Sequence, residues 1–272
     1  MMEQKSITFI GGGNMAQAIV FGLLKQGYAR HLITVCDPNE YQRAVFLAKG
    51  INATDNNQQA VQTADVVLLA VKPQIMALAC ESLSAVDFSG KLVISIAAGI
   101  SISRLQALLP TAQQIVRVMP NTSVFVSEGM AGLYADQHLS TKNHQFATAL
   151  LQAVGQTVWV AQESDMHWVT AAAGSSPAYF FRFMEAMQEV LLKQGLSSET
   201  ARLLVQQSAL GAARMVICNP ETPIATLREN VTSKGGTTAA ALAVFEQADL
   251  AAIIEQAMQA CVERSMEMET LF

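Results

Sequence analysis

The sequence predicts an α/β chain in two parts: a doubly wound, mostly parallel sheet over residues 1–163, then an all-helical part over 164–272. Three observations carry this. A glycine-rich turn, Gly11-Gly12-Gly13-Asn14-Met15-Ala16, joins a short apolar run at 7–10 to a helical pattern at 16–24. From residue 5 to about residue 160, short β-branched runs alternate with helical spacing, as parallel strands with helices on both faces require. From Ser164 onward the alternation stops, and the chain becomes rich in Ala, Leu, Met, Gln and Glu, all strong helix formers.

Taken in order, the extended runs lie at 7–10, 32–36, 66–71, 92–96 and 115–119, with helical spacing between them at 39–49, 58–63, 74–83 and 101–109. Two further extended runs, 129–134 and 156–160, flank an amphipathic helix and complete the sheet. The helical part divides into 165–173, 177–194, 197–216, 223–228, 238–248 and 250–268. Pro177 suits a first helical turn, and Ser197 is a capping serine with Glu199 in the turn it opens. Met184, Met187, Met258, Met266 and Met268 read as core or subunit interface. So many apolar positions in a short helical part predict burial against a second copy, as a homodimer or a larger ring such as a decamer.

Composition narrows the partners. A chain of 272 residues that is 51% hydrophobic buries a sizeable core and suggests about two domains. Its net charge of −5 and the lack of a long basic run offer no electrostatic footprint for nucleic acid or an anionic membrane, which leaves a small molecule as partner. The first apolar run is too short for a signal peptide and no stretch reaches the roughly 18 apolar residues of a spanning helix, so a cytoplasmic location is expected. Cys36, Cys80, Cys218 and Cys261 are widely spaced without a C-x-x-C pair. Neither a metal site nor a disulfide framework is expected, and all four read as buried thiols.

The first loop carries the leading chemical signal. In a G-x-G-x-x-A turn of the Rossmann type, Gly11 makes the strand-to-helix bend, Gly13 lets a pyrophosphate approach the backbone, and Ala16 permits close packing. The helix that opens there directs free N–H groups and its positive dipole end at the phosphates. Asp37 follows the next strand, where an acidic residue contacts a ribose. Later strand ends are the other places for a dinucleotide: Ala70, Val71, Lys72 and Pro73; Ala97, Ala98 and Gly99; and Met119, Pro120, Asn121 and Thr122. Lys72 also reads as an exposed loop lysine, and its position at a strand end favours function. A second loop, Asn230-Val231-Thr232-Ser233-Lys234-Gly235-Gly236-Thr237-Thr238, runs into another helical pattern and forms an anion cradle suited to a carboxylate or phosphate. An ordinary helix entry capped by Thr is the competing reading.

These stretches together resemble the pyrroline-5-carboxylate reductase family over nearly the whole chain. The resemblance rests on Phe9-Ile10-Gly11-Gly12-Gly13-Asn14-Met15-Ala16, Ala70-Val71-Lys72-Pro73, Ser95-Ile96-Ala97-Ala98-Gly99, Arg117-Val118-Met119-Pro120-Asn121-Thr122, Gly174-Ser175-Ser176-Pro177-Ala178-Tyr179 and Ser233-Lys234-Gly235-Gly236-Thr237-Thr238, in that order. It implies a Rossmann domain followed by an all-α dimerisation domain, and NAD(P)H-dependent reduction of 1-pyrroline-5-carboxylate to L-proline. It also implies a pyrophosphate on Gly11 to Ala16, the adenosine ribose near Asp37 and Asn56, and the nicotinamide along Ala70–Pro73 and Ala97–Gly99 with Asn230 closing over the cofactor. The substrate carboxylate then falls to the backbone N–H groups of Ser233, Lys234, Gly235, Gly236 and Thr237, and the ring nitrogen to Thr238. Glu163 matches a substrate-contacting acid of the family, with a solvated loop carboxylate as the competing reading.

The implied chemistry asks for little beyond positioning, because a protonated cyclic imine is already an electrophile. Thr238 is too weak an acid for strong general-acid catalysis, so its expected role is to orient the nitrogen and relay a proton from water. His31, His138, His144 and His167 lie outside the matched motifs and are left structural. Family members that prefer the phosphorylated cofactor tend to offer hydroxyl or basic groups where this chain has Cys36-Asp37-Pro38-Asn39, so Asp37 predicts a preference for NADH, with Asn39 and Arg43 available to a phosphate. Two other readings remain: a reductase of another small imine or oxo acid, and a non-catalytic nicotinamide sensor. A β-hydroxyacid dehydrogenase is disfavoured because 168–179 holds no lysine, and a sensor has no need of the second loop.

Overall fold

The computed structural model describes residues 3–271, which form two compact units. One comprises residues up to Ser175 together with those from Ala260 onward; the other is Ser176–Gln259. The first unit runs β1 (Ile7–Ile10), α1 (Asn14–Lys25), β2 (Ile33–Cys36), α2 (Glu40–Leu47), β3 (Asn52–Thr54), α3 (Asn57–Gln62), β4 (Val66–Leu69), α4 (Met76–Glu81), β5 (Leu92–Ser95), α5 (Ile102–Leu108), β6 (Gln114–Met119), β7 (Gly129–Tyr134), α6 (Thr141–Gln152), β8 (Gly155–Trp159) and α7 (Asp165–Val169). The second holds α8 (Ser176–Lys193), α9 (Ser198–Cys218), α10 (Ile224–Asn230), α11 (Thr237–Gln247) and the start of α12 (Leu250–Leu271), whose last turns belong to the first unit.

The strands form one sheet in the order β3-β2-β1-β4-β5-β6-β7-β8. All neighbours are parallel except β6 and β7. Side-chain alternation sorts the strands onto two faces. Phe9, Val35, Leu68 and Ile94 pack on one face with α1 and α6, whereas Ile10, Cys36, Leu69 and Val93 pack on the other with α4 and α5. Helix α1 presents Ala16, Ile19, Val20 and Leu23 to the sheet at helical spacing, with Lys25 in its last turn to complement the dipole. Leu68 is fully buried, and truncating it to Ala costs about 2–5 kcal/mol.

The strand order reverses between β1 and β4, so the carboxyl ends of those two strands flank a topological switch point. This sets where a ligand is expected on the first unit. Strand β3 escaped the sequence reading: it is a three-residue edge strand of Asn, Ala and Thr that pairs with β2, too short and polar to display a period of two.

In the second unit α8 and α9 are joined by a Schellman-type turn: Gly195 has φ of +89°, and Leu196 N–H donates to Leu191 O. Ser197 caps α9, its Oγ accepting from Thr200 N, as its sequence position predicts. Two expectations need correction. The predicted helix at 165–173 changes pitch at Val169, and Thr170–Gly174 is a π-helical turn in which Ser175 N–H donates to Thr170 O at 2.8 Å. The four cysteines are not all buried: Cys36 and Cys80 are, but Cys261 is half-buried and Cys218 is exposed at the end of α9. No single helix is long and apolar enough to cross a membrane among the described residues.

Candidate active site

The first loop is held by the two strands beside it. Gly11 N–H donates to Cys36 O at 2.7 Å, at the end of β2, and Ala70 N–H donates to Ile10 O at 2.8 Å, beyond the end of β4. Gly11 has φ of +100°, and a Cβ there would lie 2.7 Å from Ala70 O, so both conformation and space require glycine. Gly12 N–H donates to Asp37 Oδ2 at 2.8 Å. Gly13 is the N-cap of α1, extended and without a side-chain cap, and a Cβ on it would meet no protein atom within 4 Å. The free amides of the first turn of α1 are thus open to a ligand, with no acidic side chain in that turn to oppose an anion.

Asp37 does two things at once. Its Oδ2 holds the first loop through Gly12, its Oδ1 accepts from Asn39 N at 2.8 Å, and each oxygen retains a lone pair. Arg43 lies nearby, but its Nη1 donates to the carbonyls of Asp37 and Pro38, and its Nη2 stands 3.9 Å from Asp55. Cys36 ends β2 against this cluster, and burial, followed by the Asp37 and Asp55 charges, pushes its thiol up to about 12.

The other predicted positions of the first unit follow the carboxyl ends of neighbouring parallel strands. Asn56 follows β3 and is exposed, its side chain accepting from Gln59 N to cap α3. Ala70 and Val71 are half-buried beside the first loop, and Lys72 is exposed at the start of a 3-10 turn that Pro73 opens. Ala97 and Gly99 follow β5 and are buried, while Ala98 between them is half-buried. Asn121 follows β6 and is 7% exposed. Its amide ties together three stretches of backbone: Oδ1 accepts from Ser123 N and Met130 N, and Nδ2 donates to Ala173 O in the π-helical turn.

Glu163 is not a free loop carboxylate. Its Oε1 accepts from Ile102 N at 2.8 Å, at the start of α5, and from Arg117 Nη1 at 2.9 Å. Arg117 sits within β6 with 4% of its side chain exposed. Arg117 has no role among the residues expected from sequence, although an arginine inside the apolar run 115–119 is a signal in itself, because a buried guanidinium requires partners.

The second loop belongs to the second unit. Asn230 ends α10 and is exposed. The chain then turns through local bonds, Thr232 N–H to Glu229 O and Gly236 N–H to Ser233 O. Gly235 has φ of +72° with no neighbour within 4 Å. Gly236 is the N-cap of α11, extended and again without a side-chain cap, with Ser233 Oγ where its Cβ would stand. Ser233, Lys234, Thr237 and Thr238 are exposed, and Thr238 lies in the first turn of α11. The two loops therefore share one design: a glycine of positive φ, then an extended glycine opening an uncapped helix.

Known proteins match both parts. Residues 163–268 match a family described as pyrroline-5-carboxylate reductase dimerisation, and residues 6–99 one described as NADP oxidoreductase coenzyme F420-dependent. The chain is 64% identical to the pyrroline-5-carboxylate reductase of Pasteurella multocida, with all of both chains covered. It belongs to the pyrroline-5-carboxylate reductase family. Family members with solved structures share the fold end to end. The Coxiella burnetii enzyme superposes with a TM-score of 0.91 at 40% identity, covering 98% of this chain and 99% of its own. The Plasmodium falciparum enzyme, solved with NADP bound, gives 0.88 at 27% identity, covering 99% of this chain and 100% of its own.

Proposed function

We propose that this chain reduces 1-pyrroline-5-carboxylate to L-proline with NAD(P)H as hydride donor, the last step of proline biosynthesis, and does so in the cytoplasm. The observation that carries the reading is the pair of glycine-gated, uncapped helix N-termini in a chain 64% identical to a pyrroline-5-carboxylate reductase. One loop suits a pyrophosphate and the other a carboxylate.

The residues fit a dinucleotide. The amides of Gly13, Asn14, Met15 and Ala16 form the pyrophosphate cradle, with Gly11 supplying the bend and Gly12 tied to Asp37 beneath it, and the open space beside Gly13 is what backbone approach needs. Asp37 and Asn56 take the adenosine ribose, while Ala70, Val71, Lys72, Pro73, Ala97, Ala98, Gly99, Asn121 and Asn230 bound the nicotinamide end. When bound, the reduced nicotinamide supplies the hydride. The backbone amides of Ser233, Lys234, Gly235, Gly236 and Thr237 hold the substrate carboxylate. Thr238 orients the ring nitrogen, and Glu163 belongs to the substrate surroundings through the Ile102 end of α5. The reaction balances with one hydride and one proton: hydride enters at the ring carbon doubly bonded to nitrogen, the π pair settles on nitrogen, and the nitrogen carries the proton. Positioning supplies most of the rate enhancement.

Asp37 favours NADH, since its carboxylate accepts ribose hydroxyls and repels a 2′-phosphate, and the Arg43 guanidinium is engaged by carbonyls. The Plasmodium falciparum relative with NADP bound supports a nicotinamide dinucleotide in general. We further propose that 1–163 serves the dinucleotide and 164–272 serves substrate and subunit pairing, in a homodimer or a ring such as a decamer. The family match over 163–268 and the exposed Phe180, Phe181, Leu203, Ile217 and Ile253 support pairing. The test is steady-state oxidation of NADH and NADPH with pyrroline-5-carboxylate, beside a 3-oxo acid as control. Turnover of the imine alone is expected, with the higher kcat/KM for NADH; turnover of the oxo acid alone overturns the reading.

A further inference from the structure

The loop that follows β5 is held directly at Gly99 and Ile102, and a further contact from the last turns of α12 reaches it indirectly, through Arg117 and Glu163. Gly99 has φ of +70°, and a Cβ on it would stand 3.0 Å from Met268 Cβ and 3.3 Å from the Met268 carbonyl carbon, so the backbone of α12 lies directly on the loop. One residue on, Glu269 Oε1 pairs with Arg117 Nη1, and its Oε2 lies 3.3 Å from His167 Nε2. His167 is 4% exposed, and its Nδ1 lies 2.9 Å from Ser265 Oγ, one turn earlier in α12. Glu163 bridges Arg117 and Ile102 N and so fixes the far end of the loop. One buried guanidinium thus joins β6, the approach to α7 and the end of α12, and among the described residues no buried side-chain nitrogen or oxygen lacks a hydrogen-bond partner.

We propose that the last turns of α12 clamp the 97–102 loop, and that Glu269 and Met268 are thereby positioning residues for the nicotinamide end of the dinucleotide. This rests on the reading above that 97–99 face the nicotinamide. Neither residue touches the reacting atoms. Their part is to hold the loop still through Gly99, Arg117 and Glu163, because a loop free to shift by an ångström misplaces the ring without releasing the rest of the cofactor.

The test compares the wild type, Glu269→Gln and a chain ending at Arg264. Affinity is measured for the reduced dinucleotide and for ADP-ribose, which lacks the nicotinamide, and kcat for pyrroline-5-carboxylate at saturating cofactor. For Glu269→Gln, ADP-ribose affinity stays within about twofold of wild type, while kcat and the extra affinity contributed by the nicotinamide each fall about tenfold; the truncation loses more of both. Glu269→Gln does not depend on the truncated chain folding. A Glu269→Gln protein whose kcat and nicotinamide-dependent affinity match wild type overturns the clamp, and so does one whose ADP-ribose affinity falls in parallel, since that reports general loosening. A wild type that binds the dinucleotide without reducing the imine overturns the substrate reading alone, because the affinity comparison needs no substrate. A wild type that binds no dinucleotide overturns both.

Discussion

The two glycine loops carry the same local design in unlike surroundings. At the first, Gly11 and Gly12 donate to Cys36 and Asp37 at the end of the neighbouring strand, and Gly11 lies against Ala70 just beyond another, so its shape is set by the sheet. At the second, the bonds are local, Thr232 to Glu229 and Gly236 to Ser233, and most side chains are exposed. The same backbone geometry is therefore fixed by tertiary contacts in one place and by short-range turn chemistry in the other. Substitutions at the first loop should affect stability and binding separately according to position, whereas at the second they should act on binding and turnover with little effect on folding.

The largest expected effect tests the first half of that contrast. A Cβ at position 13 meets no protein atom within 4 Å, so Gly13→Val should keep the thermal midpoint close to wild type, while dinucleotide affinity falls more than about a hundredfold as the branched side chain fills the phosphate approach. Gly11→Ala, by contrast, costs about 2 kcal/mol or more of stability as well, from its positive φ and the Ala70 carbonyl. Equal stability loss in both, measured by thermal unfolding, breaks the distinction. Next, Asp37→Ser removes the acceptor of Gly12 N–H and the charge facing a 2′-phosphate; the ratio of kcat/KM for NADPH over NADH should rise about tenfold, with a stability loss of about 1 kcal/mol.

At the second loop, Thr238→Ala should lower kcat about tenfold, less than the hundredfold typical of a lost general acid, with cofactor affinity and melting temperature unchanged because the residue is exposed. Unchanged turnover removes Thr238 from the mechanism. Gly235→Ala strains a φ of +72° by about 1 kcal/mol without a clash, and its KM for the imine should rise about fivefold. The smallest effect is chemical. With the Cys36 thiol pushed up to about 12, chiefly by burial, almost none of it is thiolate at pH 8; raising the pH toward 12 is what ionises it. Iodoacetamide at pH 8 should label exposed Cys218 and spare Cys36, as peptide mass mapping would show, without affecting dinucleotide binding.

What was legible in the sequence was local. Strands 7–10 and 129–134 match the observed ones end to end, and the others differ at their termini, because apolar alternation and glycine turns are short-range signals. The strand-end positions of the first unit line up along the sheet because the connections fix them there. The network around Arg117 was not legible: its partners Glu163 and Glu269 lie 46 and 152 residues away, and no local pattern links them. The same holds for His167, left structural on sequence grounds yet bonded to Ser265. The π-helical turn was hidden because its residues have ordinary helical spacing, and the change of pitch accompanies the Asn121 amide bonding Ala173 O from another element. Cys218 was misjudged because it ends α9 on a face left exposed in the chain.

A labelled hydride tests the central claim, that two anion-gripping loops serve one transfer between a dinucleotide and a carboxylate-bearing imine. The wild type would turn over pyrroline-5-carboxylate with cofactor deuterated at the transferring position of nicotinamide C4, and the proline would be read by mass spectrometry. One deuterium per proline, on the ring carbon that was doubly bonded to nitrogen, is the expected result. Dinucleotide oxidation that leaves the product unlabelled, or no oxidation with this imine, contradicts it.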